Sequence, residues 1–310
     1  MLVVNYNTRV LLEACLASVR RERPAAVVVV DNGSTDGSLE MVARDFPEAT
    51  LLALGRNAGY GAAANAGVAA CAGPYVVVLN SDTVVEPGAL AALASHLEAN
   101  AGAAVAGPRL TNADGSPQAS CFPFPGTLGW LLENDPMAPA LAMLPAARRR
   151  MLRYTLPTQA APVPWVLGAA LALRRAPFEA AGGFDEDFFM YFEEVDLGRR
   201  LADAGWEVHY VPEAVVRHVG AASTSKQWRQ MTLAHAASMR RYYRKHCSGA
   251  RLHTWRTLMG TKMLALCVRD LAASMTTSDR GRRQALAERA GVWWDAFSWA
   301  RTNGRTGTAR

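Results

Sequence analysis

Ala25-Ala26-Val27-Val28-Val29-Val30-Asp31-Asn32-Gly33-Ser34 is the stretch that decides the fold. A continuous apolar, largely β-branched run reads as a strand covered on both faces. It stops at a carboxylate, an amide, a glycine and a hydroxyl, which is turn chemistry. The pattern repeats on either side. Leu2–Asn5 runs into Tyr6 and Asn7, Thr50–Leu54 into Arg56 and Asn57, and Tyr75–Leu79 into Asn80, Ser81 and Asp82. Helical apolar spacing fills the intervals: Val10–Arg21, a helix from a Ser34/Thr35 cap to about Phe46, Ala58–Ala72 and Pro87–Ala99. Ala103–Gly107 reads as a further strand. Strands alternating with helices predict an α/β fold with a mostly parallel sheet flanked by helices. Ligands of such sheets sit beyond the carboxyl ends of the strands, and four polar clusters in register there predict one crevice.

Downstream of Arg109 the pattern dissolves. Prolines and Arg148-Arg149-Arg150 predict long loops and short helices up to Pro164. Trp165–Leu173 then reads as one strand, Arg175–Ala181 as a short helix ended by Gly182-Gly183, Glu194–Ala204 as a helix ended by Gly205, and Glu207–Val211 as a strand. After Ser225 three helical segments run to about residue 300. The expected organisation is a catalytic domain at 1–225, with halves 1–108 and 109–225, and a basic helical extension at 226–310.

Composition bounds the function. The chain has 310 residues, half of them apolar and 19% charged, an ordinary globular composition. Residues 1–225 carry 16 Lys and Arg against 23 Asp and Glu, whereas 226–310 carry 17 against four; the balances of −7 and +13 make the net +6. The acidic body argues against a nucleic-acid binder, which needs a basic face. Five cysteines, with no C-x-x-C pair, fit a reducing compartment. The opening Met1-Leu-Val-Val-Asn5 reads as a strand, so no secretory signal is expected there. The charge-poor stretches Tyr60–Asn80 and Tyr154–Leu173 are broken by glycine, asparagine or proline and do not read as membrane spans.

Four segments carry chemistry. Asp82 in Asn80-Ser81-Asp82 ends a strand and can hold a hard divalent cation, although the tripeptide also fits a plain Asx turn. Asn57-Ala-Gly59-Tyr-Gly61-Ala-Ala-Ala-Asn65-Ala-Gly67 is neither a P-loop nor a clean G-x-G-x-x-G; its small residues allow close approach to backbone or phosphate. Gly182 to Asp196 packs six carboxylates into twelve residues with five aromatic rings among them. Carboxylates beside apolar rings acquire raised pKa values, which suits a general base. Glu193 and Asp196 are three apart and share a helix face. His218, beyond the next strand and ahead of Gly220, Ser223 and Thr224, is a candidate metal or phosphate contact, or a structural histidine.

Taken in order, Val4-Asn5-Tyr6-Asn7, Val30-Asp31-Asn32-Gly33-Ser34, Asn57-x-Gly59 through Asn65-x-Gly67, Leu79-Asn80-Ser81-Asp82, Gly182 to Tyr191, Glu193-Glu194-Val195-Asp196-Leu197 and His218-x-x-x-x-Ser223 resemble the family 2 glycosyltransferases, in their bacterial rhamnosyltransferase-like branch. The resemblance implies a GT-A fold with a C-terminal helical extension and an inverting, metal-dependent transfer. It places Asn5, Tyr6, Asn7, Asp31, Gly33, Ser34, Asn57, Gly59, Asn65, Asn80 and Ser81 around the nucleotide-sugar, with Asp31 on the base. It puts Mg²⁺ or Mn²⁺ on Asp82 with His218, and acceptor or sugar contacts at Trp165, Gly168, Asp185, Glu186, Phe188 and Tyr191. Glu194 is the implied base, Glu193 the runner-up, with Asp196 in the same set. The chain has Asn-Ser-Asp where relatives have Asp-x-Asp, so one carboxylate is expected on the cation. It also begins inside the first strand, so an upstream start is expected. Deoxythymidine-diphosphate rhamnose (dTDP-rhamnose) is the family-weighted donor, with UDP- and GDP-sugars open. The implied acceptor is a cell-envelope or exopolysaccharide glycan, lipid-linked, with no nucleic-acid partner. The expected location is cytoplasmic; the basic run Arg240 to His246 and the apolar set Leu258, Met259, Met263, Leu264, Leu266 and Val268 predict that 226–310 touches the inner-membrane face, with an oligomer interface or a packed helical cap as the alternative. Competing readings are a nucleotidyltransferase, which would want a basic phosphate loop near the N-terminus, and an inactive sugar- or membrane-binding accessory protein on this scaffold.

Overall fold

In a computed structural model of the chain, residues 1–126, 156–220 and 228–301 are described. Leu2–Asn5 (β1) runs parallel between Val28–Asp31 (β2) and Tyr75–Asn80 (β4), and Thr50–Ala53 (β3) pairs with β2. The register aligns Asn5 with Asp31 and Val4 with Asn80, so the polar residues that end these strands share one edge. Leu2, Val4, Val28 and Val30 join one apolar layer and Val3 and Val29 the other. Both faces are therefore covered, as the unbroken valine run requires.

Arg9–Glu22 (α1), Ser38–Asp45 (α2) and Ala89–Ala99 (α4) supply Leu12, Leu16, Met41 and Leu93 to the second layer. Tyr60–Ala70 (α3) covers the first. Its small residues are a packing requirement: a Cβ on Gly67 would lie 2.3 Å from Leu2 Cδ1 and 2.8 Å from Val30 Cγ2.

Further strands are Thr83–Val85 (β5), Ala103–Thr111 (β6), Pro117–Gln118 (β7), Cys121–Phe122 (β8), Ala161–Val163 (β9), Trp165–Val166 (β10), Ala170–Arg174 (β11) and Glu207–His218 (β12), and all but β8 and β10 join the same sheet. Its order is β3-β2-β1-β4-β11-β6-β12-β5, with β7 on β6 and β9 on β12, while β8 and β10 form a separate pair. β11 runs antiparallel to β4 and β6. Arg175–Ala180 (α5) and Glu193–Asp203 (α6) connect the last strands.

Four sequence expectations change. The second helix starts at Ser38 after a left-handed Gly37, with no side-chain cap, because Ser34 and Thr35 are bonded to Asn7 instead. Trp165–Leu173 is two strands, because β10 pairs with β8 while β11 pairs with β4 and β6. The strand expected to stop at Val211 runs on to His218, with Pro212 accommodated at a register shift between Val211 and Val215. The stretch read as loops after Arg109 contributes β7, β8 and β9 and the end of β6. Arg148-Arg149-Arg150, Ser223, Thr224 and the 225/226 boundary lie outside the described residues.

The chain divides into two compact units: Met1–Phe124 with Arg153–Lys226, and Pro125–Leu152 with Gln227–Arg310. In the second, Trp228–His246 (α7), Gly249–Thr276 (α8) and Arg280–Arg301 (α9) are described. Trp255 stacks on Tyr243 at 4.5 Å between ring centroids. Asp270, 2% exposed, is paired with Arg269 and Arg289 and accepts from Trp293 Nε1.

Candidate active site

At the carboxyl edge of the parallel strands, side chains bond to one another before any ligand arrives. Asn5 Nδ2 donates to Asp31 Oδ1 at 2.9 Å and to Ser34 Oγ at 3.1 Å. The Gly33 and Ser34 N–H groups donate to Asp31 Oδ2 at 3.2 and 2.8 Å. Thr8 Oγ1 donates to Asn5 Oδ1 at 2.8 Å and lies 2.6 Å from Ser81 Oγ. Asn32 extends the network: its Nδ2 donates to Asn57 Oδ1 and its Oδ1 accepts from the Ala58 N–H.

Above this layer opens a cavity of about 290 Å³. Of the expected residues, Tyr6, Asn57, Asn80, Ser81, Asp82, Gly168, Tyr191, Glu193, Glu194 and His218 line it. Among the described residues its lining includes three carboxylates and no Lys or Arg. Buried Asn80 Oδ1, Glu193 Oε2 and Glu194 Oε2 have no hydrogen-bond partner among the described residues. Unsatisfied buried acceptors converging on one cavity mark where a ligand's donors belong.

The other expected residues lie elsewhere. Asn5, Asp31, Gly33 and Ser34 form the bonded floor, and Asn7, in a left-handed conformation, bonds Ser34 and Thr35. Gly59 meets Phe189, whose carbonyl accepts the Tyr60 N–H at 3.0 Å. Asn65 bonds both backbone groups of Phe184 and Glu186 Oε1, tying α3 to the acidic loop. Asp185 accepts the Asp187 N–H, and Phe188 is fully buried. Trp165 stacks on Phe122 and donates to the Pro123 carbonyl. Asp196 shares a helix with Glu193 but does not join it in the cavity. Its carboxylate is buried and ion-paired at 2.7 Å with Arg200, which also donates to the Ala181 and Gly183 carbonyls.

Glu193 and Glu194 open α6, straight after Tyr191 and Phe192, both at positive φ (67° and 70°). Two consecutive aromatic residues in that region are strained, and the strain aims the helix end at the cavity. Burial pushes both carboxyls above the ordinary carboxylate range, Glu193 further by the charge of Glu194. Three N–H groups favour the ionised form of Glu194: its own, that of Gly168 and that of Val195. Glu193 has only its own. Backbone N–H groups therefore stabilise charge on Glu194 more than on Glu193. Tyr60, its phenol pushed well up by burial, donates to the Gly168 carbonyl at 2.7 Å and holds that loop against the pair.

Across the cavity, Asp82 Oδ1 lies 3.4 Å from His218 Nε2. Gln118 Nε2 donates to Asn112 Oδ1, which turns Gln118 Oε1 toward His218 Nδ1 at 2.9 Å. With Nδ1 donating to that oxygen, the Nε2 of a neutral ring presents its lone pair beside a carboxylate. Two acceptors facing at that distance repel unless a cation or a proton lies between them. The donor set fits a hard divalent cation. Among the described residues no group of three or more His, Cys, Asp or Glu could hold a metal, so further oxygens would come from substrate or water. Asn32, Tyr60 and Gln118 were not among the expected site residues. Asn32 and Tyr60 stand inside the motifs that carry the resemblance, whereas nothing in the sequence marks Gln118.

Residues 1–150 match the family model described as glycosyl transferase family 2, and residues 146–297 that of glycosyl transferase family group 2. A Mycobacterium tuberculosis (strain H37Rv) protein, N-acetylglucosaminyl-diphospho-decaprenol L-rhamnosyltransferase, is 34% identical over 302 residues, covering 92% of this chain and 96% of that one. The chain is a family 2 glycosyltransferase. It stands in the rhamnosyltransferase-like part of that family. The chain aligns with the mannosyltransferase PcManGT from Pyrobaculum calidifontis in complex with GDP-Man and Mn²⁺ at a TM-score of 0.56 and 18% identity, over 97% of this chain and 87% of that one. It aligns with GalNAc-T7 with UDP, GalNAc and Mn²⁺ at a TM-score of 0.52 and 18% identity, over 70% of this chain and 43% of that one. At such identities the likeness establishes the fold, which is GT-A.

Proposed function

We propose that this glycosyltransferase moves rhamnose from dTDP-rhamnose to a sugar hydroxyl of a lipid-linked cell-envelope glycan, with inversion at the anomeric carbon and with the help of Mg²⁺ or Mn²⁺. The observation that carries this reading is the cavity itself: a buried Glu193–Glu194 pair and the Asp82–His218 pair line one space. The relative's name supplies the donor sugar and the acceptor class. The two GT-A structures, both holding Mn²⁺, support the cation.

The chain's own residues then act as follows. Asn57, Asn32 and Tyr6 line the nucleotide side, and Asp31 holds the loop that positions them. Asp82 and His218 would hold the cation. Bound there, it would neutralise the diphosphate leaving group, which among the described lining residues otherwise meets three carboxylates and no Lys or Arg. Glu194 takes the proton from the acceptor hydroxyl as that oxygen bonds the anomeric carbon. The bond from that carbon to the diphosphate oxygen breaks, and the nucleoside diphosphate leaves with its electron pair. Tyr191 and Gly168 lie on the acceptor side.

The test pairs a transfer assay with a thermal-shift panel of dTDP-, UDP- and GDP-sugars, with and without Mn²⁺. The expected result is rhamnosyl transfer from dTDP-rhamnose, with product anomeric configuration opposite to the donor's. Thymidine diphosphate should raise Tm only with the cation, by about 2–4 °C per kcal/mol of binding linkage. Asp82→Ala should abolish that shift. A shift with a UDP- or GDP-sugar alone would replace the donor. A cation-independent shift would remove the metal role.

A further inference from the structure

Helix α8 buries Trp255, Met259, Met263 and Asp270. Its other side does not follow the usual polar rule. Leu264, Val268, Leu271 and Met275 recur at three- and four-residue steps and are 39%, 58%, 49% and 78% exposed. That is one helix stripe about three turns long. Trp294 of α9, 52% exposed, extends it: its ring packs on Phe297, which lines a cavity of about 570 Å³ together with Leu264. The same cavity is bounded by His253, Arg256, Thr257 and Thr261, so the polar end of the stripe carries cationic and hydroxyl groups. At the other end, beyond Met275, exposed Arg280, Arg282 and Arg283 begin α9. The one acid of α8, Asp270, is turned inward.

We propose that this face of α8, with Trp294, lies on an anionic lipid surface, its basic ends at the headgroup phosphates and its apolar stripe among the first acyl carbons. An apolar stripe with an aromatic residue beside it and arginines at its margin is the pattern of a helix lying in a bilayer interface. No helix among the described residues is long and apolar enough to cross a membrane, so the contact is one of lying on the surface. Charge selects this occupant over a second copy of the chain. Residues 226–310 carry 17 Lys and Arg against four acids, so two copies repel where an anionic surface attracts. The inference deepens the lipid-linked acceptor reading and rests on it for its purpose: a carrier lipid presents its sugar at that surface.

The full chain is sedimented with vesicles of phosphatidylcholine containing about 30% phosphatidylglycerol and, separately, of phosphatidylcholine alone, at low and high salt. Wild type should pellet with the anionic vesicles at low salt and be released by high salt. Val268→Glu/Met275→Glu, at exposed positions, should keep the wild-type Tm and lose at least about tenfold in partitioning. Transfer to a short water-soluble acceptor should survive in this variant, while transfer to a vesicle-embedded acceptor falls. No pelleting of wild type at low salt would overturn the proposal. So would undiminished pelleting of the double variant, or a wild-type dimer that the variant makes monomeric with neither binding vesicles. A wild type that binds vesicles in this stripe-dependent way but transfers to neither acceptor would sustain the docking and overturn the reaction instead.

Discussion

Glu194 and Glu193 are neighbours in sequence with unequal surroundings, and that inequality sets the first prediction. The N–H groups around Glu194 favour its ionised form, while Glu193 is more deeply buried and feels its neighbour's charge. Glu194→Gln should lower kcat by about 10²–10⁴, the usual worth of a positioned general base. Glu193→Gln should cost less, and steady-state kinetics at saturating donor would read the ranking. The reverse order would make Glu193 the base. The acidic cluster was conspicuous in the sequence, and the family resemblance ranked Glu194 ahead of Glu193, but Asp196 stood there in the same set. Arg200, one helical turn on, takes the Asp196 carboxylate, and only side-chain placement reveals that.

At the level of elements, the site depends on how closely α3 and its preceding loop meet the segment before α6. Gly59, at φ +92°, leaves no room for a side chain, since a Cβ there would fall 2.5 Å from the Phe189 carbonyl oxygen. Gly59→Ala should therefore cost about 1–3 kcal/mol from the disfavoured φ and the backbone clash. It should also raise the donor KM, because Asn32 donates to both Asn57 Oδ1 and the Gly59 carbonyl. Thermal unfolding and donor titration of the one variant would check both. The density of small residues from Asn57 to Gly67 pointed to close approach from the sequence alone. What they approach, the sheet beneath Gly67 and the Phe189 backbone beside Gly59, comes from parts of the chain far away in sequence.

Across the whole molecule, the buried carboxyl pair ties stability to pH. Both groups are raised above the ordinary carboxylate range, so burial favours their protonated forms. Their contribution is full below that range and is lost as pH climbs through the raised values. Glu193→Gln should remove much of that loss. Its Tm advantage over wild type should widen from acid to neutral pH, and metal-free thermal melts across that interval would measure it. A constant difference would place the pKa shift elsewhere. In the second unit, the apolar set Leu258 to Val268 was visible as a string of letters. The helix divides it, burying Met259 and Met263 and leaving Leu264 and Val268 in solvent. That division is what turns a basic helical segment into a surface with a direction.

The sequence by itself determined the layered α/β core, because strand runs of valine and helical spacing are local consequences of which faces must be buried. It also determined which residues end the strands, and through its motifs the family. Tertiary structure decided which of those polar residues face the cavity and which are consumed by one another. Asp31 satisfies Asn5, Gly33 and Ser34, whereas Asp82 meets His218, which is oriented by Gln118. The physical reason is that a buried polar group is costly to leave unbonded, and which partner it finds is set by packing, which for His218 and Gln118 brings together residues a hundred positions apart.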